Sequence, residues 1–134
     1  MSAGVLLDTH ILIWWRLGGG RLSQPQAQLL AELDGRGESA FISAITLWEL
    51  AKMVERGRLD IDQPLDLWLE EIEHHPRLSV VPITSRIVAE SVALDEDFHR
   101  GFAGQIIVAT ARCLGLRLAT ADERIRRWGK VLLL

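Results

Sequence analysis

The sequence feature that most constrains the fold is the apolar run from Gly4 to Leu7, which leads directly into Asp8. No polar residue interrupts this run, and a short unbroken apolar stretch is typical of a strand buried on both faces of a parallel sheet. Asp8 therefore falls at the carboxyl end of the first strand, where open α/β sheets gather their functional residues. A carboxylate is a poor core residue at such a position, but it is a good ligand for a hard metal ion.

Apolar periodicity and turn residues predict alternating strands and helices along the rest of the chain, which is typical of an α/β fold with a parallel sheet. No linker, repeat or low-complexity segment interrupts the alternation, so residues 1–134 are expected to form a single domain. The strands are expected at residues 4–7, Ala40–Ile42, Leu78–Pro82, Arg117–Thr120 and Val131–Leu134. The helices are expected at Ile11–Leu17, from Ser23 to Gly35 or Gly37, and at Ala44–Arg56, Pro64–His75, Thr84–Asp95, Phe102–Leu114 and Asp122–Trp128, with Ser23 and Ser43 as the N-caps of the second and third.

The composition excludes membrane and disulfide-stabilised proteins. Hydrophobic residues make up 49% of the 134 residues and charged residues 25%, values that are ordinary for a soluble globular protein. The apolar stretch from Ile11 to Trp15 is far too short to span a membrane, and the N-terminus lacks the pattern of a signal peptide. A lone cysteine, Cys113, cannot form an internal disulfide. We therefore expect a cytoplasmic protein whose Cys113 is a small core residue.

The charge is unevenly distributed along the chain. The formal net charge is −3, which gives no overall signal for nucleic-acid binding, but residues 99–134 contain seven lysines or arginines against two acids. Such asymmetry can mark a surface that binds a polyanion. Alternatively, Arg124, Arg126 and Arg127 are only the solvated face of a short helix. The sequence leaves both interpretations open.

Three acidic residues occur where a hydrophobic core would not accommodate them. Asp8 ends the first strand, Asp122 follows the strand that ends at Thr120, and Glu49 lies within a helix among apolar neighbours. Burying a carboxylate is costly unless a positive group meets it, and Mg²⁺ or Mn²⁺ takes oxygen ligands of this kind. Such ions activate water for phosphodiester cleavage. Each acid alone could instead be a helix cap or a surface charge, and Asp122 could be the N-cap of the last helix.

Motifs of several other functional classes are absent or misplaced. A G-x-G-x-x-A pattern starts at Gly35, but it precedes a predicted strand, whereas the dinucleotide-binding pattern must follow one. No Walker A phosphate loop is present, and the four histidines and one cysteine show no zinc-ligand spacing. A phospho-acceptor receiver domain would also need an acidic pair near the end of the first strand and a late lysine, and neither is present.

Four sequence blocks occur in order over essentially the whole chain: Val-Leu-Leu-Asp-Thr-His at 5–10, Ser-Ala-Ile-Thr-Leu-Trp-Glu-Leu at 43–50, the segment 99–111, and Leu-Ala-Thr-Ala-Asp at 118–122. Together they resemble the PIN-domain family and, within it, the VapC-type toxins of bacterial toxin–antitoxin pairs. The resemblance implies a five-stranded parallel sheet flanked by helices and a Mg²⁺- or Mn²⁺-dependent endoribonuclease that cuts RNA. It also implies a homodimer that is neutralised by a small cognate antitoxin.

The same resemblance implies the roles of individual residues. Asp8, Glu49 and Asp122 are expected to be the catalytic acids and the metal ligands, with Asp122 acting through water. Thr120 and Thr9 are expected to support these ligands. Arg100 is expected to contact a phosphate near the cleft.

The third block departs from the family pattern, which usually reads His, any residue, Asp, Pro, apolar residue, Asp, Arg. Here residues 99–105 read His-Arg-Gly-Phe-Ala-Gly-Gln, so that Gly101 and Gly104 stand where the family has carboxylates. A missing metal ligand weakens metal binding and misplaces the activated water. Two hypotheses follow: a ribonuclease toxin with an impaired metal site, or a nuclease-dead PIN domain that binds an antitoxin or RNA without cutting.

The chain also carries more large apolar residues than a core of this size needs. We expect part of this surplus to form a dimer interface and a groove for an antitoxin helix. The alternative is that most of these side chains belong to the core. The residues concerned are Trp14, Trp15, Leu17, Leu22, Ile45, Trp48, Met53 and Trp68.

Overall fold

The computed structural model describes residues 4–94, 98 and 101–134, and these residues form a parallel sheet flanked by helices. The strand order is β3-β2-β1-β4, and each neighbouring pair is parallel. This arrangement confirms the predicted α/β class. The strands are β1 (Val5–Leu7), β2 (Ala40–Ser43), β3 (Leu78–Val81) and β4 (Arg117–Ala119). The helices are α1 (Thr9–Arg16), α2 (Gln24–Arg36), α3 (Ala44–Glu55), α4 (Leu65–Glu73), α5 (Ser85–Val92), α6 (Phe102–Leu114) and α7 (Glu123–Trp128).

Strand β1 lies in the middle of the sheet and is buried on both faces, as the apolar run predicts. Its three residues are at most 3% exposed. Because successive side chains of a strand point to opposite faces, Val5 and Leu7 pack into one apolar cluster and Leu6 into another. The first cluster includes residues of α1, α2 and α4, and the second includes residues of α6 and α7. Asp8 is thus carried to the end of the most buried strand.

The prediction of five strands is wrong, because the described residues form a sheet of four strands. The expected fifth strand, Val131–Leu134, makes only one isolated parallel bridge, between Leu133 and Leu118. The N–H of Leu118 donates to the carbonyl of Leu132 (2.8 Å), and the N–H of Leu134 donates to the carbonyl of Leu118 (3.0 Å). The backbone bends at Val131, so only one residue pair comes into register and no strand forms.

Helices α2 and α3 each begin at a serine whose side chain caps the first turn. Ser23 caps α2 in a reciprocal capping box with Gln26, and Ser43 caps α3 by accepting a hydrogen bond from the N–H of Ile45 (3.2 Å). Both caps are predicted from the sequence, because serine at the N-cap satisfies an N–H that has no partner within the helix. Helix α5 ends at Val92 rather than at the expected Asp95, and residues 95–97 lie outside the described residues.

The surplus of apolar side chains divides between core and surface. Trp68, for which the sequence left both the core and a partner surface open, is a core residue at 6% exposure, because α4 packs it against the cluster that contains Val5 and Leu7. Leu17 and Trp48 remain 51% and 44% exposed. Within the described residues, no helix combines the length and apolar character needed to cross a membrane.

His75 follows α4 and lies against two arginines. Its Nδ1 accepts a hydrogen bond from the backbone N–H of Arg77 (3.0 Å), and its Nε2 lies 3.2 Å from Nη2 of Arg16. A neutral imidazole has one nitrogen that accepts a hydrogen bond and one that carries a proton. A second ring proton would make both nitrogens donors, and each would then face an N–H donor of an arginine. Partial burial, followed by the positive charges of Arg16 and Arg77, lowers the pKa of His75, and nearby Asp34 opposes the shift.

Protonation of His75 is therefore expected to destabilise the fold. Because the pKa is lower in the folded state, the unfolded chain takes up the proton first as the pH falls below the ordinary histidine value of about 6.5. The free energy of unfolding, measured with urea between about pH 8 and about pH 5, should decline through this window. The variant His75→Asn keeps an acceptor for the Arg77 N–H and should flatten the decline. The matched control His74→Asn, at an exposed neighbouring position, should keep the wild-type profile, and equal profiles for wild type and His75→Asn would contradict this account.

Candidate functional site

Asp8 joins β1 to α1, and two hydrogen bonds hold its buried carboxylate. The side chain caps α1, since Oδ1 accepts the N–H of Thr9 (2.9 Å), while Oδ2 accepts the hydroxyl of Thr120 (2.8 Å). The residue is only 3% exposed. The backbone N–H of Asp8 donates to the carbonyl of Ala119 (2.9 Å), which extends the pairing of β1 with β4. Asp8 is therefore held rigidly at the carboxyl edge of the sheet.

Glu49 connects to Asp8 through Thr9. The Thr9 hydroxyl donates to Oε1 of Glu49 (2.6 Å) and lies 3.0 Å from the hydroxyl of Thr46. A hydroxyl has a single proton, so Thr46 must donate to Thr9 while Thr9 donates to the carboxylate. Thr46 is fully buried and lies one turn before Glu49 on α3. This chain of hydrogen bonds orients the Glu49 carboxylate toward Thr9, whose backbone N–H also donates to Asp8.

Thr120 is the centre of the network on the β4 side. Its hydroxyl donates to Asp8 and accepts the backbone N–H of Asp122 (3.0 Å). Its carbonyl accepts hydrogen bonds from Nε2 of Gln26 and from Nη1 of Arg126, each at 3.2 Å. All four contacts fix the end of β4 against the elements around it. Thr120 thus contacts the Asp8 carboxylate directly, and its role as a support for a metal ligand stays a prediction.

Asp122 lies at the same edge and also serves as the N-cap of α7. Its Oδ1 accepts the backbone N–H groups of Arg124 (2.8 Å) and Ile125 (3.4 Å), and its Oδ2 lies 3.5 Å from the Arg124 guanidinium. The capping interpretation left open by the sequence therefore holds, and the side chain is 13% exposed. A capping carboxylate keeps lone pairs for other partners, so capping does not exclude a water-mediated role.

The three acids supply the oxygen donors that Mg²⁺ and Mn²⁺ prefer. Asp8 and Glu49 belong to one hydrogen-bonded network through Thr9, and Asp122 joins it through Thr120. Within the described residues, however, no three of the histidine, cysteine, aspartate and glutamate side chains form a cluster that could hold a metal ion. A divalent ion that retains several waters needs only one or two direct carboxylates, so the donors fit such an ion by their chemistry.

The first turn of α6, where the family pattern has its third acid, lies beside α3. Phe102 packs against Trp48, with ring centroids 5.2 Å apart. Gly101 is the N-cap of α6 and makes no side-chain cap hydrogen bond, and Gly104 is buried at the third helical position. This turn therefore brings no carboxylate to the site. The predicted phosphate contact Arg100 lies outside the described residues.

Sequence reasoning missed two residues of the network, Thr46 and Gln26. Thr46 could have been found, because a polar residue one turn before Glu49 shares its helix face. The sequence signal of Gln26 is local: it occupies the third helical position of the capping box that begins at Ser23, and this position does not indicate a role in the site. Its contact with the carbonyl of Thr120 spans 94 positions in the sequence, and no local pattern predicts such a contact.

Comparison with known proteins identifies the class. The family model for the PIN domain matches residues 5–131, so the chain belongs to the PIN-domain family. This finding confirms the resemblance noted in the sequence. The chain is 36% identical over 122 residues to Ribonuclease VapC22 of Mycobacterium tuberculosis, a match that covers 91% of this chain and 89% of that relative.

Solved structures with the same fold come from toxin–antitoxin systems. A toxin–antitoxin complex from Klebsiella pneumoniae is 25% identical, with a TM-score of 0.59, and the match covers 95% of this chain and 92% of that chain. VapBC2 from Rickettsia felis, bound to a DNA fragment from its promoter, has a TM-score of 0.68 at 16% identity, with 97% and 96% coverage. The second likeness supports the fold alone.

Removal of the Thr120 hydroxyl is expected to destabilise the sheet edge. Thr120→Val keeps the shape of the side chain but deletes one hydrogen bond to Asp8 and one from Asp122, so the free energy of unfolding should fall by about 1–3 kcal/mol. The matched control is Thr110→Val, also buried, whose hydroxyl bonds, among the described residues, only to the carbonyl of Ile106 in its own helix. Urea unfolding at neutral pH measures both, and equal losses would contradict the role of Thr120.

A carboxylate at Gly101 is expected to stabilise α6. The backbone at Gly101 is extended (φ −63°, ψ 173°), and an added Cβ meets no described atom within 4 Å. An aspartate there can accept an N–H of the first turn, so Gly101→Asp should be more stable than Gly101→Ala by about 1 kcal/mol. Thermal or urea unfolding of the two variants tests this. A Gly101→Asp protein no more stable than Gly101→Ala would show that the helix start lacks a free N–H at this position.

Proposed function

We propose that this protein is a divalent-metal-dependent endoribonuclease and the toxin of a toxin–antitoxin pair. The observation that carries the proposal is the hydrogen-bonded network in which Thr9 links Asp8 to the Glu49 carboxylate and Thr120 links the Asp8 carboxylate to the backbone N–H of Asp122. The 36% identity to a VapC ribonuclease supports the substrate class. We further propose that residues 1–134 form a single PIN domain that acts in the cytoplasm.

In this mechanism Asp8 and Glu49 would hold Mg²⁺ or Mn²⁺, and Asp122 would contribute through water. When bound, the divalent ion supplies an activated water and neutralises charge on the phosphodiester. Thr9 orients the Glu49 carboxylate by donating to Oε1, and Thr120 orients Asp8 by donating to Oδ2. These hydrogen bonds matter because they fix the orientation of the carboxylates that would bind the metal ion. Arg100 is proposed to contact a phosphate of the substrate.

We propose that the metal site is impaired, because Gly104 stands where the family has its third carboxylate. Two direct ligands hold an ion less tightly than three, and a loosely held ion places the attacking water less accurately. Slow cleavage that needs a high metal concentration is the expected behaviour.

The absence of carboxylates at Gly101 and Gly104 also favours a second candidate function. In this alternative the protein is a nuclease-dead PIN domain that binds an antitoxin or RNA without cutting. Both candidates share the fold and the surfaces, and they differ only in whether cleavage occurs.

The proposed partners are a cognate antitoxin and a second copy of the chain. A cavity of about 200 Å³ opens between α1, α3 and α4, with apolar walls that include Leu17 and Ile72 and a rim that includes Arg16 and Glu71. An apolar groove with a charged rim suits an amphipathic helix. The toxin–antitoxin complex from Klebsiella pneumoniae, which shares the fold, supports an antitoxin as the partner.

The cleavage assignment can be tested with purified protein, RNA and a titration of Mg²⁺ or Mn²⁺. Asp8→Asn should abolish cleavage. Gly104→Asp should raise the rate at limiting metal by about tenfold or more, because it restores a ligand. Gly104→Asn, which has nearly the same shape but no charge, is the matched control and should not raise the rate.

Two outcomes would contradict these proposals. If the wild type cuts as fast as Gly104→Asp at every metal concentration, the third acid is unimportant and the site is not impaired. If the wild type, Gly104→Asp and the double variant Gly101→Asp/Gly104→Asp are all as inert as Asp8→Asn while thermal unfolding shows them folded, the nuclease assignment fails.

A further inference from the structure

A cavity of about 180 Å³ opens directly beside Glu49, on the outer side of α3. Its walls combine the Glu49 carboxylate with an indole, that of Trp48, and with the cationic side chains Lys52, Arg56 and Arg58. The cavity therefore adjoins the carboxylate network, since Glu49 belongs to both. Its lining differs from the apolar cavity between α1, α3 and α4.

Trp48 is a large aromatic side chain that the fold leaves 44% exposed. Its indole packs against Phe102 at a ring-centroid distance of 5.2 Å and an interplanar angle of 54°, and the ammonium of Lys52 lies 5.8 Å from the ring centroid. These contacts pack against the ring at the cavity wall. An exposed aromatic ring is a platform on which a planar group can stack.

The cavity also concentrates positive charge in a chain whose net charge is negative. Lys52 is paired with Glu55 (3.0 Å). The side chains of Arg56 and Arg58 are exposed, and neither makes a hydrogen bond or an ion pair within the part of the chain that the structure describes. Two exposed arginines that make no ion pair among the described residues, beside an exposed indole, are suited to a ligand that carries both an anion and a flat ring.

We propose that Trp48, Arg56 and Arg58 form a subsite for one unpaired nucleotide of single-stranded RNA, next to the phosphate that is cut at Asp8 and Glu49. The base stacks on Trp48, and the arginines contact flanking phosphates. Every base has a π face and every phosphate a negative charge, so this pairing of groups binds single strands. An acidic peptide could use the arginines but would leave the indole without a planar partner. The inference rests on the proposed function, because it takes RNA as the substrate.

Binding of a non-cleavable RNA tests the subsite separately from cleavage. The probe is a short fluorescein-labelled 2′-O-methyl oligoribonucleotide of mixed sequence, added to the full chain in Mg²⁺ buffer and followed by anisotropy. Trp48→Ala should weaken binding about tenfold or more. Trp48→Phe, which keeps a π face, should retain most of the affinity, whereas Trp48→Leu, which keeps only apolar bulk, should lose it.

The arginines are tested by the salt dependence of the same binding. Arg56→Gln and Arg58→Gln should each reduce the slope of log affinity against log salt by about 0.7, the contribution of one phosphate contact on a single strand. Arg86→Gln, on α5 and outside the cavity, is the matched control and should leave the slope unchanged. Thermal unfolding checks that each variant is folded.

The outcomes separate the subsite from the nuclease assignment. Binding that depends on Trp48 in a protein that does not cut unmodified RNA supports the subsite and contradicts the nuclease. Cleavage that is unaffected by Trp48→Ala and by both arginine variants overturns the subsite and leaves the nuclease intact. The subsite is also overturned if duplex RNA competes as well as single-stranded RNA, or if the wild type does not bind the probe. It is overturned as well if an acidic peptide displaces the probe in a way that depends on Arg56 and Arg58 but not on Trp48.

Discussion

The geometry of the site depends on how the fold stabilises the carboxylate of Asp8, a residue that is only 3% exposed. A buried carboxylate is stable only when hydrogen-bond donors or a positive ion meet it. The chain supplies donors from both directions: the N–H of Thr9 at the start of α1 and the hydroxyl of Thr120 at the end of β4. Because β1 and β4 are parallel neighbours, both donors arrive at the same edge. Thr9 and Thr120, which satisfy this carboxylate, are also the residues through which Glu49 and Asp122 join the network.

Two of the three acids combine a structural and a proposed functional role. Asp8 caps α1 and Asp122 caps α7, and both lie at junctions where a strand ends and a helix begins. Such junctions need an acceptor for the free N–H groups of the helix, and in a parallel sheet they lie along a single edge. A capping carboxylate keeps lone pairs for other partners, so the capping role does not exclude the proposed one. Glu49, inside α3, has no capping role, and its orientation comes from Thr9 and Thr46.

Local patterns in the sequence predicted the elements well and the ends of the sheet less well. The apolar run before Asp8 identified the most buried strand, and Ser23 and Ser43 identified helix starts, because both signals act within a few residues. The predicted last strand failed because strand formation depends on register with a partner, and the bend at Val131 leaves only Leu133 paired with Leu118. The sequence left Trp68 open between core and partner surface, because its period on the helix cannot show whether another element covers it.

By itself, the sequence determined the identity of the three acids, their places at the ends of elements or among apolar neighbours, and the loss of carboxylates at Gly101 and Gly104. These properties are local, since each depends on a residue and its immediate neighbours. Only the tertiary structure decided which groups orient the acids, and which aromatic and basic side chains surround Glu49. The contacts of Gln26 with Thr120 and of Phe102 with Trp48 join segments 94 and 54 positions apart. Such contacts arise from the packing of whole helices against the sheet, which no short window of sequence encodes.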